Sequence, residues 1–113
     1  MSKILIVISS GQEAKDKAMT GLAFARNARK KNLFEDVRLI FFGPSEGLLA
    51  SGDSDMLAVY KDLISMNVIV TACVGVAQAR NIESNLKEIG LELEPVGKTI
   101  SDLIGQGYVP MVF

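Results

Sequence analysis

The sequence predicts an α/β fold, a three-layer α/β/α sandwich built on a five-stranded parallel sheet, and three observations carry that prediction. The segments KILIVIS (Lys3 to Ser9), DVRLIFF (Asp36 to Phe42) and VIVTA (Val68 to Ala72) are runs of apolar, largely β-branched residues, the pattern of strands covered on both faces. The stretches between them place apolar residues at helical spacing. Strands separated by helices call for right-handed crossovers, which pair the strands parallel.

Each element follows in order. Lys3 to Ser9 is the first strand, and the polar turn Ser9-Ser10-Gly11-Gln12 leads into a helix from Glu13 that carries Ala14, Ala18, Leu22, Ala25 and Ala28 on one face. Arg29-Lys30-Lys31 closes that helix, its charges suited to the negative C-terminal pole. Asp36 to Phe42 is the second strand, stopped by Gly43-Pro44, neither of which continues a ladder. Ser45 to Ser51 reads as a short helix. Gly52-Asp53-Ser54 supplies a break and an N-cap for a helix bearing Met56, Leu57, Tyr60, Leu63 and Ile64, with Asn67 as its C-cap.

Val68 to Ala72 is the third strand. Beyond Cys73 the expected packing helix runs from about Ile82 to Ile89 and ends at Gly90; Leu91 to Pro95 is a short fourth strand, Gly97 to Gly105 the last helix and Tyr108 to Phe113 the fifth strand. Pro110 has no N–H to give a ladder, which predicts an edge position or a bulge for that strand.

A length of 113 residues suits one domain spanning 1–113, with room for one core and not two. Hydrophobic residues make up 49% of the chain, against a net charge of −1 with the two signs interspersed. The apolar excess predicts subunit contacts, and the absence of a basic field argues against nucleic acid and anionic membranes as partners. The apolar run Ile4 to Ile8 is shorter than a signal-peptide core or a membrane span, so a cytoplasmic protein is expected. The apolar Val109-Pro110-Met111-Val112-Phe113 segment would suit burial against a partner subunit.

With no histidine and a single cysteine, Cys73, the chain lacks a CxxC redox pair, a disulfide and the common zinc ligand sets. No metal or cofactor is expected. Chemistry therefore centres on Cys73, placed where the third strand ends, the rim at which open α/β sheets put their ligands. A helix starting within a few residues would favour its thiolate, with Gly75 beside it and Arg80 or Lys98 as the nearby cations. The bland alternative is a small apolar residue filling a gap. Ser9, Ser10, Gly11 and Gln12 could offer backbone amides to an anion, although they lack the glycine spacing of nucleotide loops and read more readily as an ordinary helix start. Asp53 and Asp55 read as exposed helix-capping residues.

Taken together, the Ser10-Gly11-Gln12-Glu13 turn with its alanine-rich helix, LIFFGPSEGLL (Leu39 to Leu49) and VIVTACVGVAQARNI (Val68 to Ile82) resemble the DsrE/DsrF-like family, the DsrEFH superfamily with its YchN- and TusD-like members. The resemblance covers essentially the whole chain. It implies a parallel sheet in the order 4-3-2-1-5 and assembly as a homo-oligomer, trimer or hexamer, with the cysteine loop near subunit contacts. It also implies that Cys73 accepts a sulfane sulfur as a persulfide and passes it to a partner protein. The competing expectation is a non-catalytic oligomeric module that binds a small anionic ligand or partner protein between subunits. A flavodoxin-like nucleotide binder is the third and weakest reading, since the first loop is short and aromatics are few.

Overall fold

The structure, a computed structural model, describes residues Met1–Phe113. Strand β1 (Lys3–Ile8) runs through a 3-10 turn at Gln12–Ala14 into α1 (Lys15–Lys30); β2 (Asp36–Phe41) is followed by α2 (Pro44–Ala50) and α3 (Ser54–Ser65). Then come β3 (Ile69–Cys73), α4 (Val74–Ala79), α5 (Glu83–Glu88), β4 (Glu92–Glu94), α6 (Val96–Gly105) and β5 (Tyr108–Val112). The sheet order is β4-β3-β2-β1-β5, and every neighbouring pair is parallel. Strand β5 lies at an edge with Pro110 opposite Leu5, as a residue without an amide hydrogen demands.

The two faces of the sheet are covered unequally. Side chains alternate along a strand, and Ile4, Ile6, Ile8, Val37, Leu39, Phe41, Val70 and Ala72 enter one large core shared with buried residues of α1 through α5. The opposite face holds Leu5, Val7, Ile40 and Tyr108, roofed by Val96 and Leu103 of α6 alone. So the sandwich has three layers, one of them a single helix. Phe42, Ile69 and Val112 remain solvent-exposed around it, as does Ile104 of α6.

The segment after Cys73 forms two short helices: the first begins at Val74, directly after the cysteine, and the second, Glu83–Glu88, is the packing helix expected from about Ile82 to Ile89. Asn81, at φ 57°, takes the left-handed conformation and separates them, which asparagine tolerates better than most residues. The small residues of Val74-Gly75-Val76-Ala77 bury only Ala77, so this helix leaves almost no periodic signal.

Asp53 caps α3 by accepting a hydrogen bond from the Met56 amide at 3.0 Å. Lys15 joins both Asp53 (2.8 Å) and Asp55 (2.9 Å), tying the start of α1 to the start of α3. The hydrogen bond from Lys15 holds the Asp53 carboxyl below its usual range. The two aspartates are thus a cap and a tether. Arg29 plays the matching part at the other end of the pair, donating from Nε to the Met66 carbonyl at 3.0 Å.

Candidate functional site

The carboxyl ends of β1, β2 and β3 lie side by side in the sheet, and the segments leaving them interlock. The β1 loop is pinned from several sides. The amides of Ser9 and Ser10 both donate to the Phe113 carbonyl, at 2.7 and 3.2 Å, and the Gly11 amide donates to the Glu13 carboxylate at 2.8 and 3.1 Å. Ser9 accepts from the Ser45 amide at 2.9 Å, while the Ser45 hydroxyl donates to the Ile8 carbonyl at 2.5 Å. Gly11 packs so tightly against Pro44 that a β-carbon would stand 2.6 Å from the proline's carbonyl carbon.

These bonds correct the expectation of an anion cradle. Ser9, Ser10 and Gly11 have their amides committed to acceptors within the chain, so an incoming phosphate or oxyanion would have to displace them. The loop instead serves as a clasp between β1, β5 and α2. Gln12 is exposed and lines an open cleft of about 490 Å³ with Glu13, Pro44, Gly47, Leu48, Ser51 and Arg80.

Cys73 is the last residue of β3 and the N-cap of α4, and it is half-buried. Its side chain packs against the smaller core, as Ile100 also does, on the face roofed by α6. Gly75 lies close, with a β-carbon there 3.8 Å from Sγ, so the glycine leaves the sulfur's flank uncovered. The parallel register sets Glu94 directly beside Cys73, and Thr71 precedes it on the same face. Thr71 Oγ1 and Glu94 Oε1 are both buried without a hydrogen-bond partner.

Arg80 and Lys98, the cations expected near the sulfur, are directed elsewhere. Arg80 reaches over Gly47, where a β-carbon would meet Nη1 at 3.3 Å, in a cleft whose walls do not include Cys73. Lys98 pairs with Asp102 at 2.8 Å along the exposed side of α6. The structure therefore gathers Ser9 to Gln12 with the α2 turn and Arg80, sets Cys73 and Gly75 on the other side of β3, and leaves Lys98 apart.

Sequence reasoning missed Glu46. It is the third residue of α2 and completely buried, with Oε2 accepting from the Gly43 amide at 3.1 Å. Its Oε1 closes no hydrogen bond of good geometry, although the Cys73 amide is near enough to favour its charge. Burial is the dominant influence and pushes the carboxyl up to about 7, against the opposing pull of the Gly43 and Cys73 amides and the Arg80 guanidinium. The only signal in the sequence is Gly43 followed three residues later by Glu46, the spacing of a capping box. Nothing in that spacing announces a carboxylate beneath the cysteine turn.

No helix is long and apolar enough to cross a membrane. No curated protein sequence matches the chain. Solved structures of other proteins share the fold. One, described as a conserved protein of unknown function, BT1422 from Bacteroides thetaiotaomicron, aligns with a TM-score of 0.81 at 15% identity over 96% of this chain and 94% of that one. Another, the ychN protein from E. coli, aligns with a TM-score of 0.79 at 17% identity over the whole of both chains. The sequence profile of the DsrE/DsrF-like family matches residues 2–113, and this chain accordingly belongs to that family.

Proposed function

We propose that the protein is a sulfur carrier that holds a sulfane sulfur on Cys73. The observation that carries this reading is the placement of the only cysteine, half-buried at the carboxyl end of β3 with a helix starting at the next residue, in a family generally associated with sulfur relay. A helix start favours negative charge on sulfur, and the thiolate is the nucleophile. The Cys73 thiolate attacks the outer sulfur of a donor persulfide, R–S–SH. A new S–S bond forms on Cys73, the donor's S–S bond breaks, and R–S⁻ leaves to take up a proton from water. In the second half the acceptor thiolate attacks the same outer sulfur, and the Cys73 thiolate is the leaving group. Neither half requires an outside oxidant or reductant.

Incubation with glutathione persulfide followed by intact-mass measurement is expected to add one sulfur atom to the wild-type protein and none to Cys73→Ser. A wild-type mass that stays unchanged would end this reading.

The exposed apolar residues on the α6 side favour a second reading, in which the chain acts as an assembling module, a trimer or hexamer that presents a partner or small anion with a surface made by several copies. Phe42, Ile69, Ile104 and Val112 are exposed, the three that belong to strands or their ends falling by alternation on the face that α6 covers, and burying them would remove apolar surface from water. Light scattering is expected to give a multiple of the 12.2 kDa chain mass for the wild type and for Cys73→Ala, and a smaller particle for Ile69→Asp. A wild-type mass equal to one chain would defeat the module.

A further inference from the structure

We propose that Glu94 is a specificity-determining residue for Cys73, its carboxylate giving the sulfur a preference for disulfides and persulfides that carry an ammonium group close to the reacting atom. Unsatisfied oxygens on either side of the cysteine point to such a ligand. Thr71 is 2% exposed and its Oγ1 has no hydrogen-bond partner, while Glu94 Oε1 is likewise buried and unpartnered. Native proteins leave few buried polar atoms unmet, and each exception calls for a physical reason. A ligand that donates hydrogen bonds supplies one here.

Both atoms belong to the face of the sheet that presents Cys73. The register pairs Cys73 with Glu94 and Thr71 with Glu92, and partners in a parallel ladder send their side chains to the same face. Each assignment is matched by packing. Cys73 packs on the smaller core, Thr71 is the register partner of Ile40 from that core, and Leu93, the residue before Glu94, packs on the opposite one. Strand β4 is an edge with β3 as its single neighbour, so an oxygen of Glu94 hidden from water is turned inward, toward β3 and the cysteine turn.

Gly75 leaves the flank of Sγ uncovered, since a β-carbon there would lie 3.8 Å from the sulfur. A substrate approaching by that side meets acceptors: the carboxylate accepts only, and the threonine hydroxyl can accept as well. An ammonium group satisfies both, whereas a carboxylate sets like charge against Glu94. The neighbouring charges do not cancel it. Glu92 is exposed on the same face and adds negative charge, Lys98 is engaged with Asp102 at 2.8 Å, and Arg80 faces the cleft over Gly47. A negatively charged donor such as glutathione persulfide still reacts, only more slowly.

This preference rests on Cys73 as the reacting group of the proposed carrier, but symmetrical disulfides test it without any sulfur transfer. The thiolate attacks one sulfur, a mixed disulfide forms, and the other half leaves as a thiolate that takes up a proton. Rates with cystamine (cationic), hydroxyethyl disulfide (neutral) and dithiodiglycolate (anionic) are followed by intact mass, each divided by the rate for the urea-unfolded chain. Normalised in this way, cystamine is expected to outpace dithiodiglycolate about tenfold in the wild type, and Glu94→Gln to bring the two within about twofold. Glu92→Gln is expected to keep most of the preference. A ratio unchanged by Glu94→Gln, or lost equally in Glu92→Gln, would overturn the proposal. Should Glu94→Gln fail to fold, the wild type decides, because equal normalised rates for the three reagents reject the preference. A thiol that reacts with none of them overturns the preference and the carrier together; a clear preference without a persulfide product removes the carrier alone.

Discussion

Gly11→Ala is expected to cost about 3 kcal/mol of folding stability, the upper part of the range for forcing a methyl group into a packed interior. The added carbon would stand 2.6 Å from the Pro44 carbonyl carbon and 2.9 Å from its β-carbon. Backbone has little freedom to yield, because Pro44 opens α2 and the next residue is bonded back to Ser9 and Ile8. The displacement would pass to Glu46, two residues further on. Gly97→Ala provides the control: that glycine lies in α6 with open space where its β-carbon would be, and alanine there is expected to stabilise by up to about 1 kcal/mol through helix propensity. Urea unfolding of the two variants should therefore move in opposite directions. Equal midpoints would mean that Gly11 is not the clasp described.

The second large effect is on pH. Glu46 titrates near 7 in the folded chain, raised from 4.5 by burial. Between those values the folded state holds a proton that the unfolded state has lost, so stability falls as pH rises. The contribution is fully present below the unfolded value and gone above the folded one. A shift of this size corresponds to about 3 kcal/mol. Asp53 works in the opposite sense and at lower pH, since its depressed carboxyl contributes stability that is lost only as acid protonates it in the folded state. The two windows do not overlap. Unfolding free energies measured stepwise from pH 4.5 to 8 should decline for wild type and be flatter for Glu46→Gln. Parallel curves would remove Glu46 as the source. Absolute stability is the poorer readout, because the glutamine amide group turns a donor toward one of the two backbone amides that the carboxylate faces.

The sheet was legible because buried parallel strands must be apolar on both faces, and KILIVI and its neighbours in the sheet are. Pro110 marked the edge for the simple reason that it has no hydrogen to donate, and Asp53 marked its helix start through the capping chemistry of a short carboxylate. What escaped was set by tertiary contact. Helix α4 is made of small residues, so its packing shows only once β3 and β4 lie beside it. The Ser9, Ser10 and Gly11 amides looked available because their acceptors, Phe113 and Glu13, declare nothing of their targets in sequence. Glu46 drew no reading of its own, and its burial depends on β1, β2 and β3 ending at the same level. Cys73 was placed correctly at the end of its strand, but the side it faces follows from the register of β3 against β2, which brings Ile40 opposite Thr71.

Because β1 is flanked by β2 on one side and by the last strand, β5, on the other, the sheet cannot close in the order in which the ribosome delivers it. The first five elements can begin to gather as they emerge, yet Leu5 and Val7 wait for α6 and β5 to cover them. Contacts between such distant stretches of chain are slow to form, and until they do the nascent protein carries an open, sticky strand edge. Closure of this sheet thus waits for β5, and the cellular window for misassociation lies between the synthesis of β1 and the arrival of its final neighbour.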